Sequence, residues 1–179
     1  MLSWEPFTPE EMQVVNQAVS LAEELVSNYY KMSASQWLRP KYDIKTLVDL
    51  AAGEITEGPF AQIIRYEGKR KDALLGSAAY DFYKICLQDH MIRTATTALP
   101  DLKLYPFILY IVVHELIHVV RFSRFLQNFD ASPDEKLEEE WRVHEETRQI
   151  LRSLQMEGLA DVLVYYQKWR QPVEKLQNS

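Results

Sequence analysis

Residues 105–126 read YPFILYIVVHELIHVVRFSRFL, and the rest of the chain is best interpreted outward from this stretch. It contains the pattern H-E-x-x-H, formed by His114, Glu115 and His118. Residues four apart lie on the same face of a helix, so the two imidazoles can bind one Zn²⁺ together. The carboxylate after the first histidine then lies beside the metal, where it can take a proton from a bound water.

The residues around the motif predict a buried helix. Apolar side chains occur on every side of the helix between Phe107 and Val120, which is typical of a core helix. Two histidines and a glutamate buried without partners would cost several kcal/mol, so they either satisfy one another or hold a cation. A membrane span needs about twenty mostly apolar residues. Residues 105–120 are shorter and contain three polar side chains, so we expect a soluble protein with no membrane partner.

The composition narrows the class of protein. The chain has 179 residues, of which 47% are hydrophobic, and a net charge of −6. This predicts one globular domain, residues 1–179, and argues against nucleic acid as a partner. The single cysteine, Cys86, excludes an intrachain disulfide or a cysteine-rich zinc site. No basic segment followed by an apolar one opens the sequence, so we expect a cytoplasmic location. The sequence does not indicate an oligomeric state.

The first half of the chain predicts two helices followed by two strands. Apolar residues at helical spacing indicate an amphipathic helix over residues 9–38, and a short second helix runs from Asp43 to Ala52. The segments 60–68 and 79–88 are rich in aromatic and β-branched residues. We expect them to pair as antiparallel strands joined by the loop 68–78.

The second half predicts three helices. Pro106 is expected to start the buried helix, and Ser132 to cap the next one, as Thr8 caps the first. Gly158 marks a break or a close approach, and residues 159–170 form the last helix. The fold class is therefore α+β, a mostly helical domain with a small antiparallel sheet packed on the buried H-E-x-x-H helix.

A third metal ligand is expected from the helix after Pro133, because catalytic zinc usually takes three protein ligands. The apolar residues of that helix define its inward face, and the same face carries Glu140 and His144. These two are one turn apart, so one can bind the metal while the other supports it. We favour Glu140 as the ligand and keep His144 as the alternative. The competing interpretation is that Glu140 and His144 merely form a buried hydrogen bond with each other and bind no metal.

The order of these elements resembles the zincin metallopeptidases, and a glutamate as third ligand is similar to their gluzincin branch. The resemblance covers residues 60–150 and implies a zincin-like metal-site core over residues 59–157. The N-terminal helices of residues 1–58 precede this core, and the C-terminal helix and tail of residues 158–179 follow it. The resemblance implies that His114, His118 and Glu140 bind Zn²⁺.

The resemblance also implies an activity and a substrate. The protein is expected to be a zinc-dependent metallopeptidase, a hydrolase in which Glu115 is the general base while metal-activated water attacks a peptide bond. A peptide or protein substrate would lie along Tyr83–Gln88 as the edge strand. The donor to the developing oxyanion is left open between Tyr165, Tyr166 and His90.

Two other functions remain open. A non-catalytic domain could keep the fold and the metal as a binding or regulatory module. A di-iron carboxylate protein is less favoured. Glu115 and His118 have its Glu-x-x-His spacing. Glu140 and His144 are four residues apart rather than three, and Trp141 stands where a second such motif, ending at His144, would need glutamate. We also expect Arg121 or Arg124 to pair with the acidic run 138–140.

Overall fold

The structure is a computed structural model that describes residues 4–33, 41–69, 79–124 and 126–170. Within these ranges it contains α-helices and β-strands, together with short 3₁₀ turns. The helices are α1 (Pro9–Tyr29), α2 (Asp89–Ala98), α3 (Leu104–Ser123), α4 (Pro133–Leu151) and α5 (Leu159–Tyr165), the strands are β1 (Lys41–Lys45), β2 (Ala61–Lys69) and β3 (Ala79–Leu87), and the 3₁₀ turns are Leu47–Asp49, Ala52–Glu54 and Gln167–Arg170. The mixed, mostly helical architecture predicted from the sequence is confirmed at this level.

The sheet is mixed rather than purely antiparallel. β2 and β3 pair antiparallel, as predicted, with Ile63 opposite Ile85. β1 pairs parallel with β3, placing Ile44 also beside Ile85. The predicted helix from Asp43 to Ala52 is therefore wrong. The chain forms β1 there, followed by 3₁₀ turns, because β3 supplies hydrogen-bonding partners from forty residues away that no local pattern reveals.

The strand order also corrects the predicted position of the substrate-binding edge. The order is β1-β3-β2, so Tyr83–Gln88 belongs to or follows the central strand and not an edge strand. Both sides of β3 are already paired, and it cannot accept an added peptide strand. In the described sheet the two edge strands are β1 and β2. Of these, β2 contacts the motif helix α3.

α3 is the central element of the core. It packs against α1, α4, α5 and β2, and Tyr83 of β3 stacks on Phe122 at its C-terminal end with ring centroids 5.6 Å apart. α3 is long and apolar enough to cross a membrane by length and composition alone, but 83% of its most apolar window is buried inside the protein. Its burial follows the prediction of a core helix, although it begins at Leu104, two residues before Pro106.

The helix ends follow their local sequence signals. Thr8 and Ser132 each accept a hydrogen bond from the backbone N–H three residues on, and Glu11 and Glu135 return one, completing two capping boxes. α1 ends at Tyr29, earlier than predicted. Residues 34–38 of the predicted helix, residues 70–78 of the predicted loop and the tail lie outside the described residues.

Gly158 makes the close approach that its position predicted. Its φ is +80°, a left-handed conformation, and a Cβ there would lie 2.9 Å from Cγ of Lys103. Only glycine combines that backbone angle with that contact. It allows α5 to start against the beginning of α3, which holds the C-terminal segment beside the motif helix.

Candidate metal centre and cleft

The motif residues and the predicted third ligand come together in the folded chain. His114 and His118 lie one turn apart on α3, and Glu140 reaches them from α4. Nε2 of His114 lies 3.2 Å from Nε2 of His118 and 3.2 Å from Oε2 of Glu140. Nε2 of His118 lies 2.8 Å from Oε1 of Glu140. Each of the three residues thus offers a ligand atom within 4.8 Å of the other two.

These separations suit a shared cation. Around tetrahedral zinc with bonds of about 2.0–2.1 Å, neighbouring ligand atoms are about 3.3 Å apart. The observed distances of 2.8–3.2 Å lie close to that value, slightly contracted. Two imidazole nitrogens and a carboxylate are a donor set that zinc takes in catalytic sites, leaving a fourth position free.

The hydrogen bond on the far side of His118 sets the tautomer of the ring. Nδ1 of His118 lies 2.9 Å from Oε1 of Gln127, an acceptor, so Nδ1 carries the hydrogen. In a neutral ring Nε2 then has a lone pair, which faces the Glu140 carboxylate and cannot donate to it. Although burial opposes the charge, hydrogen bonds with Glu140 raise the pKa of His118. A proton or a metal ion on Nε2 satisfies the same contact.

His144 lies beside the group, one turn after Glu140. Its Nε2 is 3.7 Å from Oε2 of Glu140, and its ring centroid is 4.3 Å from that of His114. Nδ1 of His144 shares a hydrogen bond of 2.7 Å with the hydroxyl of Tyr110. Burial and the nearby His114 lower the pKa of His144 to about 3, so the ring is neutral.

The two glutamates differ in environment. Burial disfavours the charge on Glu140, yet hydrogen bonds from His114 and His118 hold the pKa of its carboxyl far below the usual range. Glu115 has the opposite shift: burial raises its pKa, and the positive charge of the two histidines only partly counteracts this. Glu140 is therefore suited to bind a cation, and Glu115 is suited to accept a proton.

A cavity of about 520 Å³ opens onto this group. His114, Glu115, His118 and Glu140 line one side of it. The remaining wall is largely apolar and aromatic, with contributions from Gly58–Ile63 at the start of β2, from the loop after α3 and from the C-terminal segment. The aromatic lining residues are Phe60, Tyr110, Phe122, Phe129, Tyr165 and Tyr166.

Two of the three predicted oxyanion donors reach the cavity. Tyr165 and Tyr166 line it, and burial raises the pKa of both phenols, so they keep their protons and can donate. His90 is not among the lining residues. It donates from Nε2 to the carbonyl of Thr56 at 2.9 Å, which fixes its ring away from the cleft.

The acidic run 138–140 divides between two uses, as expected. Arg121 donates two hydrogen bonds to Glu139, at 2.8 Å and 2.9 Å, while Glu138 is exposed. The bidentate pair joins α3 to α4 one helical turn below the histidines. It leaves Glu140 as the carboxylate of the run that faces them.

No family model matches this sequence, and neither the curated proteins nor the solved structures gave a match to it. The relation to zincins therefore stays a prediction that depends on the motif. The chemistry of the centre has to be inferred from its own donor atoms, their distances and the cleft in front of them.

Sequence reasoning missed residues that support the ligands or line the cleft beside them. Tyr110 lies one turn before His114 on α3, so helical spacing could have placed it on the same face. Gln127 comes from the loop between α3 and α4, and Lys168 from the last 3₁₀ turn. Neither of these has a local signal, because its position depends on how that segment folds back onto the motif helix.

Proposed function

We propose that this chain is a zinc-dependent, metallopeptidase-like hydrolase. The observation that carries the proposal is the triangle of ligand atoms from His114, His118 and Glu140, separated by 2.8–3.2 Å, with Glu115 next to it at the wall of a cleft. A purely structural cluster would not need an open cavity in front of its polar atoms. The fit of the donor set to zinc supports the metal, and the general-base position of Glu115 supports hydrolysis.

The residues of the chain would divide the reaction between them. Zinc, when bound, supplies a Lewis acid that activates water and polarises a carbonyl. Glu115 takes the proton of the attacking water and passes it to the leaving amine, a role that its raised pKa favours. The phenol of Tyr165 or Tyr166 donates a hydrogen bond to the oxyanion that develops.

The cleft suits an extended peptide. Ala61–Ile63 of β2 line it, and β2 is an edge strand in the described sheet. A peptide backbone could pair with that edge by β-augmentation, and its side chains would then contact the aromatic walls. In this proposal β2 takes the role that the resemblance to zincins implied for Tyr83–Gln88.

The test is the substitution Glu115→Gln in the full chain. We expect hydrolysis of unfolded protein or mixed peptides to fall by about 10²–10⁴-fold, the usual contribution of a general base, while zinc content measured by mass spectrometry stays at one ion per chain. Glu138→Gln removes an exposed carboxylate outside the cleft and should change neither. Zinc binding without any hydrolysis by the wild type would instead favour a non-catalytic binding module.

A further inference from the structure

Outside the proposed metal centre, the charged side chains of the cleft are basic, although the chain as a whole is acidic. The net charge of the chain is −6. Among the described residues that line the cavity, the acidic ones are Glu115 and Glu140, and the basic ones are Lys136 and Lys168. Both carboxylates belong to the proposed centre. The rest of the cleft is therefore bordered by positive charge alone.

Lys136 lies on the same face of α4 as the proposed metal ligand. It precedes Glu140 by four residues, which places it one turn away, about 6 Å along the helix axis. Its side chain is exposed, and it forms no ion pair with any residue that the structure describes. Its ammonium group is available to a ligand in the cleft.

Lys168 is the second basic residue that lines the cleft. It belongs to the 3₁₀ turn after α5, and its Nζ is 5.8 Å from the ring centroid of Tyr165. It lines the same cavity as His144. Within the described chain it too has no carboxylate partner. The two lysines thus reach the same cleft from two different elements, α4 and the last 3₁₀ turn.

The remaining wall offers a carboxylate little else to pair with. It consists mainly of aromatic and aliphatic side chains, which lower the local polarity and strengthen a charge pair relative to open solvent. Resting on the proposed hydrolase function, we propose that the cleft selects acidic peptides, in which carboxylates close to the cleaved bond pair with Lys136 on one side and Lys168 on the other.

The test measures binding, so that it does not depend on turnover. The zinc-loaded Glu115→Gln chain is titrated with fluorescent peptides of one length that carry either Asp and Glu or Asn and Gln. We expect the acidic peptide to bind about tenfold more tightly, the size of one charge-assisted hydrogen bond. Adding Lys136→Gln or Lys168→Gln should each remove several-fold of that preference. Lys31→Gln, at an exposed lysine outside the cleft, should leave it unchanged.

Two further arms identify the source of the charge. A neutral peptide with a free C-terminal carboxylate is compared with its amide, which separates a chain end from an acidic side chain. The acidic preference should also shrink as the salt concentration approaches about 1 M, where the screening length is about 3 Å. A preference that survives both lysine substitutions, or equal affinity for acidic and neutral peptides, would overturn the proposed selection.

These experiments distinguish a failure of the proposed charge selection from a failure of the proposed hydrolase function. If wild-type chain cleaves acidic and neutral peptides equally and binds them equally, hydrolysis stands and charge selection is wrong. If acidic peptides bind through the lysines but the wild type cleaves none of them, selection stands and the cleft is a binding site rather than an active site.

Discussion

His118 has a partner on each of its ring nitrogens, and this makes it the best-defined member of the centre. Gln127 accepts from Nδ1 at 2.9 Å, and Oε1 of Glu140 lies 2.8 Å from Nε2. A hydrogen bond on the outer nitrogen fixes the tautomer and the orientation in which a histidine binds metal. His114 has no such partner in the described chain, since its buried Nδ1 makes no hydrogen bond.

The contacts of two side chains distinguish Glu140 from His144 as the proposed third ligand. Glu140 makes both short contacts to the histidine pair, whereas Nε2 of His144 lies 3.7 Å from Oε2 of Glu140, and Nδ1 of His144 is engaged with the hydroxyl of Tyr110. We expect Glu140→Ala to abolish tight zinc binding, and His144→Ala and Gln127→Ala to weaken it by about 10–100-fold, as outer-shell partners do. Competition with a chromophoric chelator measures all three.

The exposed Glu138→Ala serves as the matched control for this series and should bind zinc like the wild type. The assignment would be reversed if His144→Ala lost the metal while Glu140→Ala kept it. The sequence led to the same order of preference, because Glu140 lies on the stripe of α4 that continues from Val143 and Ile150, both of which are buried.

At the scale of elements, the segment after β1 is tied to the sheet by one carboxylate. Glu54 accepts hydrogen bonds from the backbone of Ala51 at 2.7 Å, from Tyr66 of β2 at 2.6 Å and from Lys84 of β3 at 2.8 Å. These donors lower the pKa of Glu54 to about 2. The short turn therefore holds the two antiparallel strands together on the sheet face opposite the helices.

This lowered pKa predicts an acid-sensitive contribution to stability. Since the folded pKa lies below the unfolded value of 4.5, the contribution is complete above pH 4.5 and is lost as the pH falls toward 2. Glu54→Gln should lower the free energy of unfolding by about 1–3 kcal/mol at pH 7. Urea unfolding of both chains should show this gap closing in acid, and a gap independent of pH would contradict the assignment.

The loop between α3 and α4 is held by the sheet in a similar way. Arg65 of β2 forms an ion pair with Asp130 at 3.3 Å, and its guanidinium lies 4.9 Å from the ring centroid of Phe129. Gln127 sits on this loop, so the edge strand indirectly positions the group that orients His118. Such a contact between two distant segments has no counterpart in local sequence.

At the scale of the whole molecule, the centre joins elements that are far apart in the chain. Its ligands come from α3 and α4, and the cleft wall adds the start of β2 and the last 3₁₀ turn. A single buried cluster of apolar residues extends from α1 through the sheet to α5. The proposed binding of a metal at the meeting point of these elements would therefore be coupled to the folding of the whole chain.

This coupling predicts that zinc stabilises the protein. A ligand present at about 100 times its Kd adds about 2.7 kcal/mol, which raises Tm by about 5–10 °C for a chain of this size. Calorimetry with and without zinc measures the shift. Mg²⁺, which prefers oxygen ligands, should produce none, and neither should zinc added to Glu140→Ala. A zinc-induced rise that persists in Glu140→Ala would place the ion elsewhere.

Helical spacing and local capping were enough to predict part of the fold and of the candidate site from the sequence. The i and i+4 relation of His114 and His118, the inward stripe that contains Glu140, and the starts of α1 and α4 all follow from short-range geometry. The pairing of 60–68 with 79–88 could also be predicted, because the two segments are close in the chain and apolar and polar residues partly alternate in both.

The groups that surround the two histidines and Glu140 depend instead on tertiary contacts. β1 pairs with a strand about forty residues away, which makes β3 central and leaves β2 as the edge strand that lines the cleft. Gln127 and Lys168 reach the cleft through the folding back of a loop and of the C-terminal segment. Contacts of this kind depend on the packing of distant segments, whose free energies no window of neighbouring residues contains.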